Sequence, residues 1–212
     1  MNSREFFLLY TDENGDEVGL DEVQLIEPPI SERIPELVGL LDSNELFISY
    51  QAALVLAAWG NKCGLNKIEE FIDMEKSKDY CFEPNRISGD DNFYDDLSYA
   101  VYLYGLSGGD REEIVNIIRK ILKIYHKYYF DSKLKYVLQK SNFSELTDDI
   151  DNAIHCSIIS GKYIQASDLF IAFAQLDSHK CLAYIKKIQD HLLSNQYASK
   201  NMERALEIIY AS

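Results

Sequence analysis

The chain has 212 residues, of which 26% are charged and 47% hydrophobic, an ordinary globular mix rather than that of a disordered chain. Its 21 bases against 35 acids, a formal net charge of −14, disfavour nucleic acid and anionic membrane as partners and favour a basic protein. With only 4 Pro and 10 Gly, the composition suits helices joined by short turns, and 15 Tyr with 10 Phe supply bulk for a core or an interface.

The first 30 residues read as an extension ahead of a helical domain spanning residues 31–212. Glu5-Phe6-Phe7-Leu8-Leu9-Tyr10 and Glu17-Val18-Gly19-Leu20 flank Asn14-Gly15, which predicts a short β-hairpin. Glu27-Pro28-Pro29 then interrupts the chain. From Ser31 the period becomes helical, with Ile34, Leu37, Val38 and Leu41 on one face. Glu45 to Trp59 is apolar on almost every side, so this helix has to be packed on both sides, and Gly60 ends it. Leu65, Ile68, Phe71 and Ile72 begin another helix, and Ser77 to Phe93 reads as a long polar connection containing Pro84 and Gly89.

A helix is expected from Tyr94 to Leu106, ending at Ser107-Gly108-Gly109. Asp110 followed by Glu113 resembles a capping box for the clearest helix in the chain, whose stripe runs from Ile114 to Tyr129. Leu134, Val137 and Leu138 mark a short helix. Further helices are expected near 145–160, 164–176, 178–194 and 199–211, with Gly161 as a C-terminal stop and Ser199 as an N-cap.

Three of these helices are rich in small residues and end in or near glycine, at Gly60, Gly105 and Gly161, and each is followed by a helix with an apolar stripe. Such hairpins cannot bury their apolar faces alone and therefore stack. Leu40-Leu41-Asp42-Ser43-Asn44-Glu45, then Tyr50-Gln51-Ala52-Ala53-Leu54, Ala58-Trp59-Gly60 and Gly64-Leu65, resembles a HEAT repeat, departing from the pattern at Ile48-Ser49, where Val-Arg is usual. The resemblance implies an all-α, HEAT-like α-solenoid of stacked hairpins, and by itself no function. A small acidic helical-repeat chain carrying Pro84-Asn85-Arg86-Ile87 and Asp90-Asp91-Asn92-Phe93-Tyr94-Asp95-Asp96 also resembles bacterial immunity proteins, which neutralise secreted or contact-delivered toxins, many of them basic nucleases. That likeness implies a cognate toxin domain as partner; the second reading is a scaffold or chaperone for an endogenous protein.

The candidate partner-binding residues are Asp90, Asp91, Tyr94, Asp95, Asp96 and Tyr102, with Asp148 and Asp149 as a second acidic cluster. Charge is uneven along the chain: residues 1–45 hold twelve acids and two bases, residues 111–140 eight bases and three acids. Cys63, Cys81, Cys156 and Cys181 lack CxxC spacing and read as reduced thiols of a cytoplasmic protein, and no signal peptide or membrane span is evident. His155-Cys156 and His179-Lys180-Cys181 lack metal-site spacing, and Asp12, Asn14 and Asp16 start a calcium loop that Glu17 and Val23 fail to complete. No phosphate cradle or nucleophile elbow is present, so the sequence implies neither an enzyme nor a cofactor.

Overall fold

Asn2 decides the first element. The computed structural model describes residues 1–75, 82 and 90–211 and places helix α1 at Ser3–Tyr10. The Asn2 side chain accepts from the backbone N–H groups of Arg4 (2.9 Å) and Glu5 (3.0 Å), and Glu5 accepts from the Asn2 N–H at 2.6 Å. This reciprocal cap satisfies donors at the helix start. The apolar run from Phe6 to Tyr10 lacks the polar alternate positions of a half-buried strand. The predicted β-hairpin is therefore corrected: its first arm is helical. What remains of it is the turn at Gly15 (φ +86) and one isolated antiparallel bridge between Thr11 and Glu17.

The chain divides into two compact units, Met1–Ile117 and Ile118–Ser212. The first continues with α2 (Leu20–Gln24), a 3₁₀ turn (Ser31–Arg33), α3 (Ile34–Leu40), α4 (Leu46–Ala58), α5 (Lys62–Asp73), α6 (Phe93–Leu106) and the start of α7 (Arg111–Ile124). Helix α4 is its centre. Every residue from Ile48 to Ala58 is buried, and α1, α2, α3, α5 and α6 all pack against it. A helix with no polar face needs cover on every side. Helix α5 approaches most closely: a Cβ added at Gly64 would lie 2.5 Å from the Ala57 nitrogen and 2.6 Å from Leu56 Cβ. Tyr50 anchors an aromatic cluster, stacking on Phe93 at 4.7 Å between centroids, while Phe93 meets Phe71 edge-on at 5.6 Å. At the departure from the HEAT pattern, the Ser49 hydroxyl donates to the Leu41 carbonyl at 2.6 Å and ties α4 to the turn before it.

In the second unit follow α8 (Lys133–Ser141), α9 (Thr147–Ile159), α10 (Tyr163–Asp168), α11 (Phe170–Leu176), α12 (Ser178–Leu193) and α13 (Gln196–Ala211). The helix expected over 164–176 is two, meeting at Leu169. Helix α7 stops at Ile124 rather than running on to Tyr129, and the Gln165 amide donates to the carbonyls of Tyr125 and Tyr128 beyond its end. Helix α13 begins before Ser199, because the Asn195 side chain accepts from the N–H groups of Tyr197 and Ala198, both at 3.0 Å. The connection expected over 77–93 lies, except for Phe82 and residues 90–93, outside the described residues.

Helices α4, α6 and α9 end alike. Asn61 N–H donates to Leu56 O (2.8 Å), Gly109 N–H to Tyr104 O (3.0 Å) and Lys162 N–H to Ser157 O (2.9 Å). Each bond closes around a glycine in the left-handed region: Gly60 at φ +73, Gly108 at +88 and Gly161 at +73. The second glycine of the series is thus Gly108 rather than Gly105, which sets the intervals at 48 and 53 residues. Each cap leads into the next helix, α5, α7 and α10 respectively.

The second unit holds a buried polar knot. Lys135 on α8 donates to Asp168 (3.2 Å) and to the Asn201 side-chain oxygen (2.6 Å), and its ammonium lies 4.7 Å from the Tyr197 ring centroid. The Asn201 amide donates in turn to Asp168 (2.9 Å) and Ser167 (3.0 Å). Burial pushes the Asp168 carboxyl up to about 6, from an ordinary 3.8, against the pull of Lys135.

Two outcomes follow from this packing. Gly64→Ala should lower stability by ~1–3 kcal/mol through overpacking against α4, outweighing the better helix propensity of Ala. Gly39→Ala, where a Cβ meets nothing within 4 Å, should be neutral or stabilising; equal shifts of Tm for the two variants would contradict the close α4–α5 approach. Because Asp168 binds its proton more readily folded than unfolded, its contribution is full below pH ~4 and is lost as pH rises through about 6. Lys135→Met should therefore cost ~3–5 kcal/mol at pH 8 and less at pH 5, read by urea unfolding. A deficit independent of pH would exclude a buried Lys135–Asp168 charge pair.

Candidate functional site

The acidic residues singled out in the sequence are mostly engaged by the fold. Tyr94 and Asp95 are each 1% exposed. Asp96 accepts from the Tyr50 hydroxyl at 3.0 Å, and Asp91 accepts from the backbone N–H groups of Phe82 and Phe93, each at 3.2 Å. Asp95 and Asp96 lie in the first turn of α6, where carboxylates offset the helix dipole. Tyr102 is half-buried and stacks on Tyr99 at 6.1 Å. Asp90 is exposed. The second cluster belongs to the other unit: Asp148 is exposed in the first turn of α9, and Asp149 accepts from Arg119 at 3.0 Å. Of the eight residues, Asp90 and Asp148 are the exposed ones.

The exposed carboxylates gather instead in residues 1–45. Ten of the twelve acids there are exposed: Glu13, Asp16, Glu17, Asp21, Glu22, Glu27, Glu32, Glu36, Asp42 and Glu45. Both cations of the segment are committed within it. Arg4 donates to Glu36, with Nε to Oε2 at 2.7 Å, an ion pair that holds the Glu36 carboxyl below its ordinary value.

Arg33, 5% exposed, donates to the Thr11 carbonyl (2.7 Å), the Thr11 hydroxyl (3.1 Å) and the Asp12 carbonyl (2.7 Å), and lies 4.5 Å from the Phe7 ring centroid. Its charge is spent on the C-terminal end of α1, where carbonyls carry negative partial charge. Asp12 in turn accepts from the N–H groups of Asp16 (2.9 Å) and Asn14 (2.8 Å), bonds that lower its pKa and shape the loop. The surface of the first 45 residues is therefore strongly anionic. The sequence shows this as a charge imbalance; the withdrawal of Arg33 from the surface is a tertiary event with no local signature.

One cavity of the first unit opens on the same segment. It has a volume of about 310 Å³ and lies between the chain at Gln24–Pro29 and the C-terminal ends of α4 and α6. Trp59 and Leu103 line it, and Leu25 and Leu106, 58% and 68% exposed, also line it. The Trp59 indole N–H donates to the Val23 carbonyl at 2.9 Å and the Ser107 hydroxyl to the Ala58 carbonyl at 2.7 Å. Both polar groups are thus satisfied by the wall itself. An apolar residue at the end of an otherwise buried helix, as Leu106 is before Ser107-Gly108-Gly109, is the one signal in the sequence that points here.

Among the described residues no three His, Cys, Asp or Glu side chains are grouped as metal ligands, and no helix is long and apolar enough to cross a membrane. Cys181 is buried, which pushes its thiol up to about 12, and His191 stacks on Tyr163 at 4.0 Å. Cys63 is exposed, and Cys81 lies outside the described residues. Comparison with protein-family models, with curated proteins and with solved structures finds no match for the chain.

Proposed function

We propose that this chain is an immunity protein: it binds a basic toxin domain of the nuclease kind in the cytoplasm and neutralises it by covering the active site, with no catalysis or cofactor of its own. The observation that carries the reading is the surface of residues 1–45, where ten exposed carboxylates face solvent and the two cations are held within the segment. A nuclease binds phosphates through clustered cations, and a surface of carboxylates presents matching charge to that site. Long-range attraction would speed encounter, and apolar contacts would supply most of the affinity.

The proposed scaffold is a HEAT-like solenoid. Three helices capped by the same glycine motif, each leading into a partner helix, support it, as does the close Gly64 contact between α4 and α5. Stacked hairpins make extended surfaces for protein partners without a catalytic pocket.

The test uses the chain as bait in a lysate, with washes of rising salt and a nuclease assay on whatever is retained. The expected partner is basic, and its nuclease activity falls stoichiometrically when the chain is added. A variant carrying Glu13→Gln, Asp16→Asn, Glu17→Gln, Glu22→Gln and Glu32→Gln should associate with that partner about tenfold more slowly at low salt, with a flatter salt dependence. An unchanged association rate would remove this surface from the mechanism. A retained housekeeping protein without toxic activity would make the chain a scaffold instead.

A further inference from the structure

The geometry points to the cavity beside Trp59 as the socket for an apolar side chain that the basic partner projects from between its own Lys or Arg residues. This rests on the reading of a basic partner and adds where its affinity is anchored. At about 310 Å³ the cavity sits at the lower end of the ~300–1,000 Å³ of ligand pockets, room for a side chain or two. Its walls are mixed: apolar side chains from Leu25, Ile26, Pro29, Trp59, Leu103 and Leu106 stand beside polar surface from Gln24, Glu27 and Ser107.

The polar groups at the wall do not favour a small polar ligand. The Trp59 indole and the Ser107 hydroxyl already donate to backbone carbonyls, so neither is left to orient a guest. The remaining polar lining is Gln24, mostly buried, and the exposed Glu27. Asp21 and Glu22 are exposed on the same short helix as Gln24, and no cation lines the cavity. The exposed Leu25 and Leu106 at the opening, with Glu27 on the wall and Asp21 and Glu22 on the helix beside it, complement an apolar anchor flanked by cations. Leu25 and Leu106, the exposed large apolar residues of the lining, would bury most of their surface on docking, and buried apolar anchors dominate the energy of protein interfaces.

Trp59 is the only tryptophan of the chain, so its fluorescence reports on this cavity alone. The probes are a short amphipathic helical peptide of Leu and Lys without aromatic residues, and a matched peptide with Gln in place of Leu. Each is titrated while Trp59 emission is followed, with total binding measured in parallel by calorimetry. The Leu/Lys peptide should shift the emission saturably, and Leu25→Ser with Leu106→Ser, both at exposed positions, should weaken that titration by about tenfold or more. The Gln/Lys peptide should bind by calorimetry and leave the emission unmoved. If both peptides bind alike without moving the emission, or the double variant titrates as the parent does, the socket is overturned while the basic-partner reading stands. If neither peptide binds, both are overturned.

Discussion

Helix α4 has no polar face, and the first unit is arranged around that fact. Eleven consecutive residues, Ile48 to Ala58, are buried, so five helices are recruited to cover one. Three of the five, α1, α2 and α3, come from the acidic N-terminal segment. Of these, α1 and α2 give their apolar side chains Leu8, Leu9 and Val23 to the interior, and the carboxylates that share these helices and their loops are left on the outside. The anionic surface is thus a consequence of covering α4 with an acid-rich segment. The cavity beside Trp59 marks the end of that cover, where the chain after α2 passes the C-terminal ends of α4 and α6.

Carboxylates serve two ends in this molecule. Those at helix starts and beside hydroxyls or guanidinium groups hold the fold together: Asp91 and Asp96 around α6, and Asp149 with Arg119 at α9. Removing them would test stability before it tested recognition. The carboxylates of residues 12–45 largely stand outside such roles, and they outnumber the segment's cations, of which Arg4 pairs with Glu36 and Arg33 is turned onto backbone carbonyls. The opposite solution appears at Asp168, where a carboxyl is buried with a lysine, an amide and a hydroxyl in a knot joining α8, α10 and α13. There the carboxyl contributes to the interior of the second unit.

Much of the helical plan was legible because strong periodicity and glycine stops are local. Glu45 to Trp59 reads as a helix packed all round, and α4 runs from Leu46 to Ala58. Gly60 and Gly161 read as stops and adopt the left-handed geometry of one. The N-terminal segment reads as a hairpin because Asn14-Gly15 is a genuine turn, yet the cap between Asn2 and Glu5 starts a helix there. In the acidic run at 90–96, burial separates Asp95 from Asp90, and one-dimensional charge cannot. Arg33 belongs to the same class, since its partners Thr11 and Asp12 stand more than twenty residues away. The likeness to immunity proteins rests partly on Pro84 to Ile87, outside the described residues; the surface of residues 1–45 is independent of it.

The most direct test of partner binding on the anionic surface is hydrogen–deuterium exchange on the intact chain, alone and saturated with the basic protein it retains through salt washes. Slowed exchange is expected in the loop and helix between Thr11 and Pro29 and at the end of α6 around Leu106, with α12 and α13 unchanged. Protection confined to α12 and α13, with residues 11–29 exchanging as in the free chain, would contradict it.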